Sequence, residues 1–235
     1  MNRFGIVLIL VLSSPLFFSW PLAAQIKVDL ELILMADGSG SIDHAEFLLQ
    51  RRGYARALRD QRVIDSIRFG PKGRIALAYV EWSGPDFHEP IVPWSVIRTN
   101  QDIDAFARRL EEHPREIFSG GTALGDAILY GVSSLETNAF IGDRRVIDLS
   151  ADGSDKDGLD AAVGRAQAVA RGITVNGLPI IGDWPELEAF FKANVIGGPG
   201  AFYVPAYDFR DFEVAVRKKL IREIVDNGNV ATAGR

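Results

Sequence analysis

An α/β domain with a doubly wound, mostly parallel central sheet, helices on both faces and one antiparallel edge strand is the fold this sequence predicts. Three observations carry that expectation. Apolar runs of strand length alternate with segments of helical length, the pattern of βαβ units. The run from Val28 to Met35, though it carries Asp29 and Glu31, is apolar and β-branched enough to be a buried strand, of the kind found in the middle of a parallel sheet. It opens directly into Asp37-Gly38-Ser39-Gly40-Ser41, a polar turn of the kind that binds ligands beyond the carboxyl ends of such strands.

Taken in order, the first strand is followed by a helix from about Ala45 to Leu58, with Phe47, Leu48, Tyr54, Ala55 and Leu58 at helical spacings and Asp43 as its N-cap. A shorter amphipathic piece around Val63, Ile64 and Ile67 ends at the turn signal Gly70-Pro71. Arg74 to Trp82 reads as a second buried strand. Phe87 to Trp94 carries Pro90 and Pro93, which demote it to an edge strand and hairpin partner. Thr99-Asn100 caps a helix from Asp102 to Glu112 with Ile103, Phe106 and Leu110 on one face, and His113-Pro114 ends it.

A glycine-rich turn, Ser119-Gly120-Gly121, delivers Thr122 to the start of a helix running to about Glu136. Arg144 to Ser150 is a third central strand ending in Ala151-Asp152-Gly153-Ser154, an echo of Ala36-Asp37-Gly38-Ser39. Ala161 to Arg171 is a small-residue helix stopped by Gly172. Ile173 to Ile181 is a fourth buried strand, Pro185 to Asn194 a short helix, and Ala201 to Pro205 a last strand. Asp211 to Asp226 closes the fold as a helix with Phe212, Val216, Leu220 and Ile224 inside.

Length and a hydrophobic content of 47% suit one domain with a full-size core. Residues 1–24 read as a secretory signal peptide: Arg3, an apolar run from Phe4 to Phe18, and Leu22-Ala23-Ala24 before Gln25. The run is short for a spanning helix, so no membrane attachment is expected after cleavage. The domain is placed at 25–226 and a loose tail at 227–235. Cysteine is absent, which excludes lipidation at the cleavage site and any disulfide framework. Removing residues 1–24 takes 26 bases against 31 acids to 25 against 31, a formal charge of −6. That sign argues against a nucleic-acid or anionic-membrane surface and suits cation binding.

Asp37, Ser39 and Ser41 offer a carboxylate and two hydroxyls on alternate residues, hard oxygen donors of the kind Mg²⁺, Mn²⁺ or Ca²⁺ prefers. Taken alone, each could be a helix cap or an Asx-turn, as could Thr122 and Asp152. Together, at one edge of a parallel sheet, the five point to a shared site. Asp-x-Ser-x-Ser, then Ser-Gly-Gly-Thr-x-Leu-Gly-Asp-Ala, then Ser-Ala-Asp-Gly resemble the von Willebrand factor type A fold and its metal-ion-dependent adhesion site, over roughly Asp29 to Val225. The chain looks closest to a bacterial secreted branch of that superfamily with no settled function.

The resemblance implies one divalent cation, Mg²⁺ first and Mn²⁺ or Ca²⁺ as alternatives. Ser39, Ser41 and Thr122 would bind through hydroxyls, while Asp37 and Asp152 would hold coordinated waters and orient those hydroxyls. It also implies an open position that takes an Asp or Glu carboxylate from a protein partner, and hence a non-enzymatic adhesion or scaffold module.

Asp126, Asp155 and Asp157 also lie near this edge; Asp126 could cap or hydrogen-bond the site from the helix after Thr122, with solvation the expectation, and an EF-hand alignment fails because Gly153 falls at the first ligand position. A haloacid-dehalogenase-type phosphoester hydrolase would need a second carboxylate where Ser39 stands. Nucleophile-elbow, P-loop and dinucleotide motifs are missing. A structural domain with a vestigial metal site is the other alternative. His44, His88 and His113 read as surface or packing residues, and Trp82, Trp94 and Trp184 as packing. Arg51-Arg52 and Arg217-Lys218-Lys219 read as solvated helix faces.

Overall fold

The computed structural model describes residues 25–225, so the signal-peptide expectation at 1–24 and the tail at 227–235 lie outside the described residues. Five strands, β1 (Ile26–Asp37), β2 (Ile75–Trp82), β3 (His88–Ile97), β4 (Phe140–Ala151) and β5 (Thr174–Pro179), form one sheet in the order β3-β2-β1-β4-β5. β1 pairs in parallel with β2 on one side and β4 on the other, β4 pairs in parallel with β5, and β3 runs antiparallel along β2. The chain therefore leaves β1 toward one edge first and returns to its other side with β4. The switch point between β1 and β4 is where a doubly wound sheet opens a ligand crevice.

The helices are α1 (His44–Leu58), α2 (Gln61–Phe69), α3 (Asn100–Glu112), α4 (Leu124–Thr137), α5 (Ala161–Ala170), α6 (Leu187–Phe190) and α7 (Phe212–Val225). Alternation along β1 sorts the core into two layers. Leu30, Leu32 and Leu34 pack with α1, α2, α3 and α7, whereas Ile33 and Met35 pack with α4 and α5. Each such side chain, fully buried, stabilises the fold by about 1.5–3 kcal/mol. Among the described residues, no helix is long and apolar enough to cross a membrane.

Caps follow the local sequence where it was explicit. Asp43 caps α1 in a reciprocal box with Glu46, Thr99 does the same for α3 with Asp102, and Gly172 leaves α5 at φ +68°. Two stretches differ from expectation. Ala201 to Pro205 is no strand: it runs beside β5 through single bridges at Tyr203 and Ala206. Pro179 and Pro205 have no N–H to donate, so a continuous ladder cannot form. The helix expected over Pro185 to Asn194 has only one α turn and continues as a π-helix over Phe191–Val195.

The two basic runs are also corrected. Arg51 is 3% exposed, and its guanidinium forks onto Glu81 at 2.7 and 3.0 Å while donating to the carbonyls of Leu110, His113 and Pro114. Lys219 is fully buried, hydrogen-bonded to Glu223 and 2.6 Å from Asp148 on β4. Buried charges must be paired, and both cations are. Arg51 fastens the segment after α3 to α1, and Lys219 fastens α7 to the sheet.

Candidate metal centre

β1 is buried from Val28 to its carboxyl end, which is thereby held rigidly, and Asp37, its last residue, is 0% exposed. The turn that follows folds back on it: Ser39 N–H donates to Asp37 Oδ1 at 2.7 Å, and Gly38 N–H donates to Trp82 O at the end of β2. Gln50 of α1 donates to the Asp37 carbonyl at 3.2 Å. Ser39 Oγ and Ser41 Oγ stand 3.1 Å apart, and Ser41 Oγ donates to Asp152 Oδ1 at 2.7 Å. The β1 turn and the residue after β4 are thus in direct contact.

Thr122 is brought to the same rim by backbone bonds. Gly40 N–H donates to Gly120 O at 3.2 Å, Ala123 N–H to Ser83 O at 3.0 Å, and Lys156 N–H to Thr122 O at 2.9 Å. Gly120 takes φ +125°, and a Cβ there would stand 2.7 Å from Ser83 Oγ, so only glycine lets the loop pass. A Cβ placed on Gly153 would lie 3.6 Å from Thr122 Oγ1, which sets the threonine hydroxyl beside the Asp152-Gly153 segment. All five sequence-designated residues, Asp37, Ser39, Ser41, Thr122 and Asp152, therefore gather at one rim.

Their electrostatics suit a hard cation. Asp37 Oδ2 is buried and has no hydrogen-bond partner. Burial first, and then the charge of Asp152, push the Asp37 carboxyl up to about 7. A cation beside it would favour the ionised form and give the orphaned oxygen a role. The donor set is two carboxylates and three hydroxyls. Among the described residues, no three His, Cys, Asp or Glu converge as a metal cluster. That chemistry fits Mg²⁺ or Mn²⁺ with retained waters and would leave the ion incompletely neutralised.

Neighbouring residues divide between scaffold and surroundings. Asp155, whose role the sequence left open, accepts from Leu124 N–H at 3.1 Å and Ala161 N–H at 2.7 Å, capping α4 and α5 with one carboxylate. Neither Ala123 nor Asp160, the residues before those helices, makes a side-chain cap, and Asp155 takes that role for both. Asp126, expected in solvent, is half-buried and accepts from Leu159 N–H at 2.7 Å. Asp157 is exposed. Lys156 was not singled out, yet its Nζ lies 3.7 Å from the point a Gly153 Cβ would occupy, a positive charge beside the rim.

His44 is exposed and stacks on Phe47, and His88 stacks on Tyr130 at 4.7 Å. Trp82 is wholly buried in the core. Trp184, by contrast, lines a cavity of about 540 Å³ that includes Ser41 and Asp152 and is walled by Leu49, Ile181, Phe209 and Asp183.

Comparison with known proteins places this geometry. The proximal thread matrix protein 1 from the mussel byssus, in a structure with a zinc-occupied MIDAS motif, superposes with a TM-score of 0.59 at 16% identity, covering 86% of this chain and 48% of that one. The pilus adhesin SpaC from Lactobacillus rhamnosus GG, in its open conformation, gives 0.61 at 15% identity over 85% and 30%. A von Willebrand factor type A protein from Catenulispora acidiphila gives 0.58 at 17% identity over 84% and 43%. The chain thus spans less than half the length of each of these three. No curated protein sequence matches. The fold is that of a von Willebrand factor type A domain, and the chain, matched over residues 27–228, belongs to the family described as Protein of unknown function (DUF1194).

Proposed function

We propose that this chain is an exported, non-enzymatic protein-binding module that takes an acidic residue of a partner through a divalent cation, Mg²⁺ in the first instance. In this reading residues 1–24 direct export, 25–226 form the domain and 227–235 a tail. Ser39, Ser41 and Thr122 would hold the ion through their hydroxyls, with Asp37 and Asp152 orienting them and the retained water. The ion would supply a Lewis-acidic position for a carboxylate. The residues around it do the rest: the buried turn keeps the hydroxyls aimed, and the cavity walled by Leu49, Trp184 and Phe209 receives whatever flanks that carboxylate.

The observation that carries this reading is the orphaned, buried Asp37 Oδ2 beside three hydroxyls and a second carboxylate on one rim. A byssal thread matrix protein and a pilus adhesin among the fold relatives point the same way. Ser39 in place of a second carboxylate argues against phosphoester hydrolysis.

The experiment is capture of partners from an envelope extract by the immobilised mature protein, with Mg²⁺ and with EDTA, using wild type and Ser39→Ala. A partner retained only with Mg²⁺ and only by wild type supports the proposal. Capture indifferent to both changes removes it.

A further inference from the structure

A second cavity, of about 460 Å³, lies along α1, and its charge is opposite to that of the chain as a whole. One wall is the face of α1 carrying His44, Leu48, Arg52 and Arg56, and the other is the segment 113–115 that follows α3. The sequence made Arg51-Arg52 a solvated pair. Burial of Arg51 under Glu81 instead turns its neighbour Arg52 outward along the groove, where it is exposed and has no carboxylate within ion-pair distance among the described residues.

Arg115 is half-buried: its guanidinium donates to the carbonyls of Ile117 and Ile42 and lies over the rings of Phe47 and Phe118, with no carboxylate within ion-pair distance among the described residues. Arg56 touches Glu213 only at 3.3 Å and is 64% exposed. The single acid in the lining, Glu111, is already held by both terminal nitrogens of Arg59 at 2.8 and 2.9 Å. An overall acidic protein therefore presents a groove with three uncommitted or weakly committed arginines. Self-repulsion makes such a grouping costly unless an anion completes it.

We infer that this groove is a docking site for an acidic, partly apolar peptide segment of a partner protein, independent of the cation. Two features select the occupant. From His44 to Arg56 the helix advances about 18 Å, the reach of about five or six residues of extended chain. Leu48 and Pro114 line the groove between the cations, over the buried Phe47 ring that Arg51 and Arg115 flank, and they offer surface that a peptide bearing leucines as well as glutamates would cover and a purely ionic polymer would leave wet. Arg115 bonds to Ile42, next to Ser41, so the groove starts where the metal turn ends.

The test is fluorescence anisotropy of a labelled hexapeptide of four glutamates and two leucines, with the mature protein in EDTA so that no cation takes part. We expect saturable binding at low ionic strength that weakens with added salt, as exposed charges require. Arg52→Ala with Arg56→Ala should weaken it at least about tenfold without lowering the melting temperature, since both side chains are exposed, while Ser39→Ala should leave it unchanged. No binding in EDTA, or undiminished binding by the double variant, overturns the inference. So does displacement of the peptide by inorganic triphosphate or a heparin fragment at lower concentration than by unlabelled peptide, which would assign the groove to another polyanion. The result is read without metal and so does not depend on the fate of the cation proposal.

Discussion

Ser41 Oγ donates a 2.7 Å hydrogen bond to Asp152 Oδ1 across 111 positions of sequence. The bond closes the rim between β1 and β4 and joins the two halves of the candidate metal centre. With Ser39 Oγ 3.1 Å behind Ser41, it sets the hydroxyls in a row beside two carboxylates that repel each other.

Relief of that repulsion gives the first prediction. Mg²⁺ or Mn²⁺ at about 100 times its Kd should stabilise the mature protein by about 2.7 kcal/mol, a rise of about 5–10 °C in melting temperature. Ser39→Ala should abolish the rise while keeping the fold. Differential scanning fluorimetry with and without EDTA reads both, and an equal rise in the variant would disprove the assignment of these hydroxyls.

Lys156 carries a positive charge to the same rim. Removing it as Lys156→Ala takes away repulsion toward a bound divalent ion, so the affinity should rise by a few-fold, at most about tenfold, at low ionic strength. Isothermal titration calorimetry at two salt concentrations checks the sign. Weaker binding in the variant would mean that the ammonium supports the site.

Arg51 and Glu81 form a pair that is 3% and 0% exposed. Burial pushes the Glu81 carboxyl up, and the Arg51 guanidinium, through its hydrogen bonds and charge, pulls it back down. Arg51→Ala should therefore cost about 3–5 kcal/mol, because it strands a buried carboxylate as well as three backbone carbonyls. Replacing both, Arg51→Met with Glu81→Leu, should recover much of that loss. Urea denaturation of the three proteins decides, and a double variant no better than the single one would contradict the argument.

Glu223 sets a pH dependence. Burial first, then the charge of Asp148, push its carboxyl from 4.5 up to about 7, against the pull of Lys219 and Asn176. A carboxyl whose pKa is higher folded than unfolded holds its proton longer in the native state. Its stabilisation is complete below about 4.5 and is lost as pH rises through about 7. Between those limits it should account for a decline on the order of 1–3 kcal/mol. Glu223→Gln should flatten that part of the stability profile, measured by chemical denaturation at pH 4.5, 6 and 8. An unchanged slope would show that another group titrates.

Much of the architecture was readable in the chain itself. From Val28 to Met35 every residue but Asp29 and Glu31 is apolar, with Ile33 and Met35 on one face and Val28, Leu30, Leu32 and Leu34 on the other, so both faces had to be covered. Pro90 and Pro93 could only be tolerated at an edge, and Asp43 and Thr99 announce their helices because their partners are three residues away. The convergence of the five candidate residues was legible for a related reason: each sits at the end of an element whose type the local pattern decides, and a doubly wound topology sends those ends to one rim.

What required the tertiary structure was everything that depends on what packs opposite. Arg51 and Arg52 are adjacent and alike, yet one is buried against Glu81 and the other lines an open groove. Lys219 looks like a surface lysine until Asp148 and Glu223 surround it. Asp155 gives no local sign that it caps two helices, and Ala201 to Pro205 loses its ladder to a proline in the neighbouring strand. Helix and strand periods report which face of an element is apolar. Only the packed fold decides which of its polar residues are buried in pairs and which meet solvent, because the compensating charge comes from a distant segment.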